Sequence, residues 1–135
     1  MDYADAETRI ADWLKTRLHP VENHAVKMWA DPRLPQNWPF TAPIGHVQRG
    51  PGEADAALTL DSCLLDIDYY AKNADHARRV AEQTRGLIRL VLPRFTWPDG
   101  VTVSGTATIS PPFWIPDPSV YRRSATYRVI LHGMV

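Results

Sequence analysis

Apolar residues recur with helical spacing near the start of the chain. They lie three or four positions apart between residues 5 and 18, which is typical of one buried helix face: Ile10, Trp13, Leu14 and Leu18. Asp2 or Asp5 is expected to cap this helix. Pro20 is expected to end it, because the residue before a proline is pushed out of the helical conformation.

A second and longer stretch has the same helical period. It begins after Asn73 or Asp75, either of which can cap a helix, and ends at Pro93. Its apolar positions are Ala77, Val80, Ala81, Thr84, Leu87, Ile88, Val91 and Leu92. The opposite face is charged and is predicted to face solvent, through Arg78, Glu82, Arg85 and Arg89.

Strict alternation of apolar and polar positions predicts three strands. The first covers residues 61–70, with Cys63, Leu65, Ile67 and Tyr69 on its buried face. The second covers residues 101–109, with the odd positions from Val101 to Ile109 inward. The third carries Ala125, Tyr127, Val129 and Leu131 on one face. Shorter strands are expected at residues 25–29 and 43–49.

Proline concentrates between these elements. The segments 31–42 and 110–119 are rich in proline and are predicted to be long loops, because proline lacks the backbone donor that regular ladders need. Residues 52–57 are expected to form a flexible tip after the Gly50–Pro51–Gly52 turn. The elements together predict one domain over residues 1–135 of the α+β class. Two helices flank a mixed, mostly antiparallel sheet of four to five strands.

Composition narrows the classes of function. Basic and acidic residues number 15 each, so the whole chain lacks the positive excess that draws a protein to nucleic acid or anionic membrane. Cys63 is the single cysteine and excludes an internal disulfide. No apolar run approaches the ~20 residues of a membrane span, and the first residues lack the layout of a secretory signal. We expect synthesis in a reducing cytoplasm and no membrane partner.

Two carboxylates, Asp66 and Asp68, are predicted to share one face of a strand, an arrangement that can hold a divalent metal ion. Asp61, Asp75 or Glu82 would have to supply a third ligand. Alternatively, Arg123 or Arg128 on a neighbouring strand neutralises the pair.

Other catalytic patterns are missing from the sequence. The five histidines lack the i, i+4 spacing of a helical zinc site, and neither a phosphate-binding glycine loop nor a nucleophile elbow occurs. Cys63 is predicted to be a core residue. We therefore predict no catalytic residue, no metal site and no cofactor, and a protein that is not an enzyme.

Aromatic and basic residues beside the loops are the candidates for an interface. The aromatic candidates are Trp38, Phe40, Phe113 and Trp114, and the basic ones are Arg49, Arg122, Arg123 and Arg128. The arginines either pair with acidic loop residues such as Asp117 or contact a partner or DNA.

The chain resembles the tail terminator proteins of long-tailed bacteriophages, particularly those of actinobacterial phages. The resemblance covers nearly the whole chain and rests on the opening helix, the helix after Asn73 and the segments 43–52, 64–70 and 122–129. It implies a structural virion protein of the tail and neck. The subunits form a homohexameric ring on the last ring of the tail tube, stop tube growth and meet the head–tail connector, or stopper. Genomic DNA passes through the lumen without sequence-specific binding.

Rival hypotheses remain open at this point. Another head–tail joining or tail completion subunit is the close one. Two hypotheses belong to other classes of protein. One is a metal-dependent nuclease that uses Asp66 and Asp68, and the other is a homodimeric adaptor.

Overall fold

The computed structural model describes residues 5–31, 33, 42–51 and 60–133, and the backbone of residues 55–57. The helices are α1 (Ala6–Arg17) and α2 (Ala74–Gly86), and α2 continues directly into a π-helical turn, Leu87–Val91. The strands are β1 (Lys27–Trp29), β2 (Ile44–Arg49), β3 (Asp55–Ala57), β4 (Leu60–Ala71), β5 (Thr102–Ile115) and β6 (Tyr121–His132).

The strands form one mixed sheet in the order β1-β2-β4-β6-β5. β1 runs parallel to β2, and the other neighbours are antiparallel. The short β3 pairs with the first residues of β4. The prediction of an α+β fold with a mixed, mostly antiparallel sheet and two helices is confirmed.

Both helix starts are capped by side chains that the sequence indicated. The carboxylate of Asp5 accepts the backbone N–H of Thr8 at 3.1 Å, and the amide oxygen of Asn73 accepts that of Asp75 at 2.8 Å. Each cap satisfies donors that the first helical turn leaves without a partner inside the helix.

The core lies between the helices and one face of the sheet. The alternation predicted for β4 and β6 is confirmed, because the inward positions of both strands are buried. They are Cys63, Leu65, Ile67 and Tyr69 on β4 and Ala125, Tyr127, Val129 and Leu131 on β6. The helices cover them with Ile10, Trp13, Leu14, Val80 and Ala81. Gly45 lies so close to the Tyr69 ring that an added Cβ would be 2.5 Å from it.

The π-helical turn changes which residues of the second helix face the core. The backbone N–H of Leu92 donates to the carbonyl of Leu87 at 2.9 Å, a bond that spans five residues instead of four. Ile88 and Leu92 stay buried, as predicted, whereas Val91 is 53% exposed. The prediction that Val91 belongs to the buried face is wrong, because the wider turn rotates it out of the 3.6-residue period.

The proline-rich segment 110–119 is only partly a loop. β5 continues through Pro111 and Pro112 to Ile115, and the connection to β6 is residues 116–120. The prolines are accommodated because β5 is an edge strand and its pairing with β6 skips from Ser110 to Phe113. The loop predicted at 110–115 is therefore corrected to strand.

Register shifts also alter the faces of β5. A shift between Val103 and Gly105 brings Thr106 toward the helices, where its hydroxyl donates to the Ile88 carbonyl at 2.8 Å. Val101 and Val103 are buried as predicted, but Ile109 is 46% exposed. Its predicted place on the inward face is wrong, because each extra residue in a bulge switches the alternation.

The remaining predictions lie at the margins of the sheet. The strand expected at 25–29 is limited to Lys27–Trp29, and the tip expected at 52–57 contains β3. Most of the proline-rich segment 31–42 lies outside the described residues. None of the helices in the described part of the chain is long and apolar enough to cross a lipid bilayer.

Candidate functional site

An exposed apolar surface runs along the β5 edge of the sheet. Every large apolar side chain that is exposed among the described residues belongs to β5, to the π-helical turn or to the first residue of β6. We call this surface the apolar edge, and its residues are Leu90, Val91, Ile109, Phe113, Trp114 and Tyr121.

The apolar edge extends around both sides of β5. Trp114 is paired with Arg123, on the side of the sheet that α2 covers, and Phe113 is paired with Ser124, on the opposite side. Trp114 also meets Tyr121 edge to face, with 6.2 Å between the ring centroids. A groove of about 680 Å³ lies beside these two rings and is bounded by the 116–120 connection.

Asp66 and Asp68 do lie on one face of β4, but other side chains occupy their carboxylates. The hydroxyl of Thr126 donates to Asp66 at 2.6 Å. Asp68 is 7% exposed and accepts hydrogen bonds from the Ser124 hydroxyl and from Arg122, whose Nε lies 3.0 Å away. Within the described ranges, no three His, Cys, Asp or Glu side chains are placed to hold one metal ion.

The arginine that neutralises Asp68 is Arg122, rather than Arg123 or Arg128 as predicted. In the register of β4 and β6, Asp68 pairs with Ser124, so that Arg122 lies two residues along β6 and on the same face. Arg123 points to the other face, where its guanidinium lies over the Trp114 ring, 4.7 Å from the centroid. Asp117 accepts the backbone N–H groups of Ser119 and Val120 in its own turn.

Arg49 binds Asp61 at the far end of β4. Its two terminal nitrogens donate to the two carboxylate oxygens at 2.9 and 2.8 Å, which is the bidentate geometry of a strong charged pair. The Arg49 guanidinium lowers the pKa of Asp61. Burial and the neighbouring Asp61 carboxylate raise the pKa of Cys63 to about 12, so that this thiol is a poor nucleophile.

Asp61→Asn is expected to reduce the free energy of unfolding by about 1–2 kcal/mol at pH 7, because the charged pair with the partly exposed Arg49 is lost. Because the folded-state pKa is lowered, the wild type has this stabilisation above the ordinary aspartate value of 3.8 and loses it as pH falls below that value. Urea unfolding at pH 7, 5 and 3 should show the difference shrinking. Asp12→Asn, at an exposed site on α1, is the control. A difference that stays constant down to pH 3 would contradict this assignment.

The structure distributes the eight interface candidates over several places. Trp38 and Phe40 lie outside the described residues. Phe113 and Trp114 are on the apolar edge, and Arg122 and Arg123 are at the adjacent start of β6. Arg49 and Arg128 lie apart from them, at the end of β2 and near the middle of β6. Their β4 partners, Leu65 and Leu64, are successive residues, which places the two arginines on opposite faces.

Leu90, Val91, Ile109 and Tyr121 were missing from the interface candidates. The helical and strand periods assign Val91 and Ile109 to the core, and nothing in those periods signals their exposure. One feature of the sequence could have indicated that Tyr121 is exposed: it lies just beyond the proline-rich connection that follows Trp114.

No family model matches the chain, and no curated protein matches it significantly.

Proposed function

We propose that this chain is the tail terminator subunit of a long-tailed bacteriophage. The subunits form a ring at the head-proximal end of the tail tube, stop tube polymerisation and join the tail to the head–tail connector. The protein thus belongs to the virion. The apolar edge is the observation that carries this proposal, because a building block must expose in its free form the surface that assembly covers.

The size of the apolar edge supports a stable protein contact. The six side chains are between 43% and 83% exposed. With about 150–250 Å² for an aromatic side chain and less for an aliphatic one, these fractions correspond to on the order of 500 Å² of apolar surface. A standard interface buries about 800 Å² on each partner, a little over half of it apolar. The edge therefore carries the apolar area that one side of such an interface needs.

The prolines of β5 support contact through side chains rather than a continuous intermolecular sheet. Pro111 and Pro112 lack backbone donors, and the pairing of β5 is irregular at both ends of Ser110. Natural sheets use prolines and bulges at their edges to prevent uncontrolled strand addition. A ring subunit has the same need, since its contacts must close after a fixed number of copies.

The proposal is tested by imaging the purified protein by negative-stain electron microscopy, alone and mixed with polymerised tail tubes of the same phage. Rings of six, or caps at one end of each tube, are the expected result. Monomers or dimers at every concentration, together with bare tube ends, would refute it. Caps on the connector instead of the tube would assign the chain to another head–tail joining subunit.

A matched assay addresses the nuclease alternative. Wild-type protein and the Asp66→Asn/Asp68→Asn variant are incubated with duplex DNA and Mg²⁺. We expect no cleavage by either protein, since the two carboxylates bind Thr126, Ser124 and Arg122. Magnesium-dependent cleavage that the variant lacks would favour the enzyme over the ring subunit.

A further inference from the structure

The basic residues of this neutral chain are unevenly distributed. Residues 72–94 carry six of the 15 basic side chains and two of the 15 acidic ones, a formal charge of +4 that the rest of the chain balances with −4. The net charge therefore conceals a strongly basic region, and that region is α2 with its flanking residues.

Four exposed arginines of this region lie on α2 and the π-helical turn that continues it. We call them the arginine face, and they are Arg78, Arg79, Arg85 and Arg89. The side chains of Arg78, Arg79 and Arg85 are 59%, 75% and 45% exposed. The sheet-facing positions of the same helix are Ala77, Val80, Ala81 and Thr84, so that burial of the apolar face presents the arginines to solvent.

The spacing of the arginine face suits an extended polyanion. Arg78 and Arg85 are seven residues apart on α2 and therefore share one side of it, and the exposed Arg89 follows in the π-helical turn. The three arginines span about 15 Å along the helix axis, the length over which one strand of B-DNA presents about four phosphates. Guanidinium groups bind phosphate oxygens in bidentate geometry.

The acidic residues on this helix leave the arginines available. Asp75 contacts Arg78 and Arg79, and Glu82 lies 4.0 Å from Arg85. Such exposed pairs contribute about 1 kcal/mol or less, and a phosphate can replace the carboxylate as the partner. Two carboxylates beside four guanidinium groups leave a positive excess on the face.

We propose that the arginine face binds the phosphate backbone of double-stranded DNA without sequence preference. The contact is weak and sensitive to salt, as is usual for backbone binding by a few arginines. This inference deepens the proposed function, because it places α2 toward the DNA that passes through the ring. The placement in the ring rests on the proposed function, whereas the DNA binding itself does not.

Fluorescence anisotropy with a labelled 30-base-pair duplex tests the inference at several low salt concentrations. With three arginines aligned on phosphates, the logarithm of the binding constant should fall with the logarithm of the salt concentration with a slope of about −3. Arg78→Gln/Arg89→Gln should weaken binding about tenfold or more at the lowest salt and reduce the slope to about −1. A second duplex of unrelated sequence should give the same values.

Lys15→Gln/Lys27→Gln is the matched control, since it removes two exposed positive charges from α1 and β1. It should bind DNA nearly as well as the wild type. Equal losses in the two variants, no binding at the lowest salt, or a loss of self-association with unchanged DNA binding would each overturn the inference. Because anisotropy is measured on the unassembled chain, failure here is distinguishable from failure of ring formation, which electron microscopy reports.

Discussion

Leu90→Gln/Ile109→Thr is expected to fold normally and to lose self-association and tube capping. Both side chains lie on the apolar edge, and Leu90 is 83% exposed, so the monomer loses few contacts. Glutamine keeps the helix propensity of leucine, and threonine keeps the β-branching of isoleucine. The change in monomer stability should stay within about 0.5 kcal/mol.

The expected effect on assembly is large because each subunit contact loses the burial of two apolar side chains. Full burial of one such side chain contributes about 1.5–3 kcal/mol. A loss of about 3 kcal/mol per contact shifts the concentration at the midpoint of assembly about a hundredfold. Light scattering coupled to size exclusion, over a range of concentrations, measures this midpoint, and electron microscopy counts capped tube ends.

Leu90→Met/Ile109→Val is the matched control for this prediction. It changes the same two positions and keeps them apolar, so assembly should stay close to that of the wild type. Normal assembly of Leu90→Gln/Ile109→Thr would show that the subunits associate through another surface. Equal loss in both double variants would point to a requirement for shape rather than for apolar area.

Asp68→Ala is expected to lower the free energy of unfolding by about 2–3 kcal/mol, and Asp66→Ala by about 1 kcal/mol or less. Ser124 is a buried residue, 8% exposed, and removal of Asp68 leaves its hydroxyl without an acceptor and Arg122 without its carboxylate. The loss stays below that of a fully buried ion pair, because the Arg122 side chain is 32% exposed. Asp66 accepts a hydrogen bond from the hydroxyl of Thr126, which is an uncharged donor, so its removal costs less.

Urea unfolding of the two variants measures this difference, and Ser124→Ala serves as a control that removes a single donor. The ratio of the two effects also bears on function. A paired metal site would make Asp66 and Asp68 equally important for activity and would make both dispensable for stability. Equal and negligible losses of stability would therefore contradict the structural role that we assign to Asp68.

The arrangement of charges on the open face of the sheet depends on strand pairing. The sequence indicates that Asp66 and Asp68 share a face, because side chains alternate along a strand. It does not indicate which arginine meets them, because that requires the register of β4 against β6. A shift of one residue would have brought Arg123 to Asp68 in place of Arg122.

The sequence by itself determined the elements whose pattern stays regular over two or more turns or pleats. The inward faces of β4 and β6 and the end of the second helix near Pro93 follow from local periodicity, and each helix cap was narrowed to two neighbouring candidates, of which the structure selects Asp5 and Asn73. These features depend on neighbours three or four residues away at most. They can therefore be read without knowledge of the fold.

Only the tertiary structure decided where those patterns break. The π-helical turn at Leu87–Val91 and the bulges of β5 each insert a residue into a regular period, and Val91 and Ile109 rotate outward as a result. At these irregularities the end of the helix contacts the edge strand, as in the hydrogen bond from the Thr106 hydroxyl to the Ile88 carbonyl. Such contacts join residues 18 positions apart, so periodicity has no access to them, and the exposure of Val91 and Ile109 on the apolar edge was visible only in the folded chain.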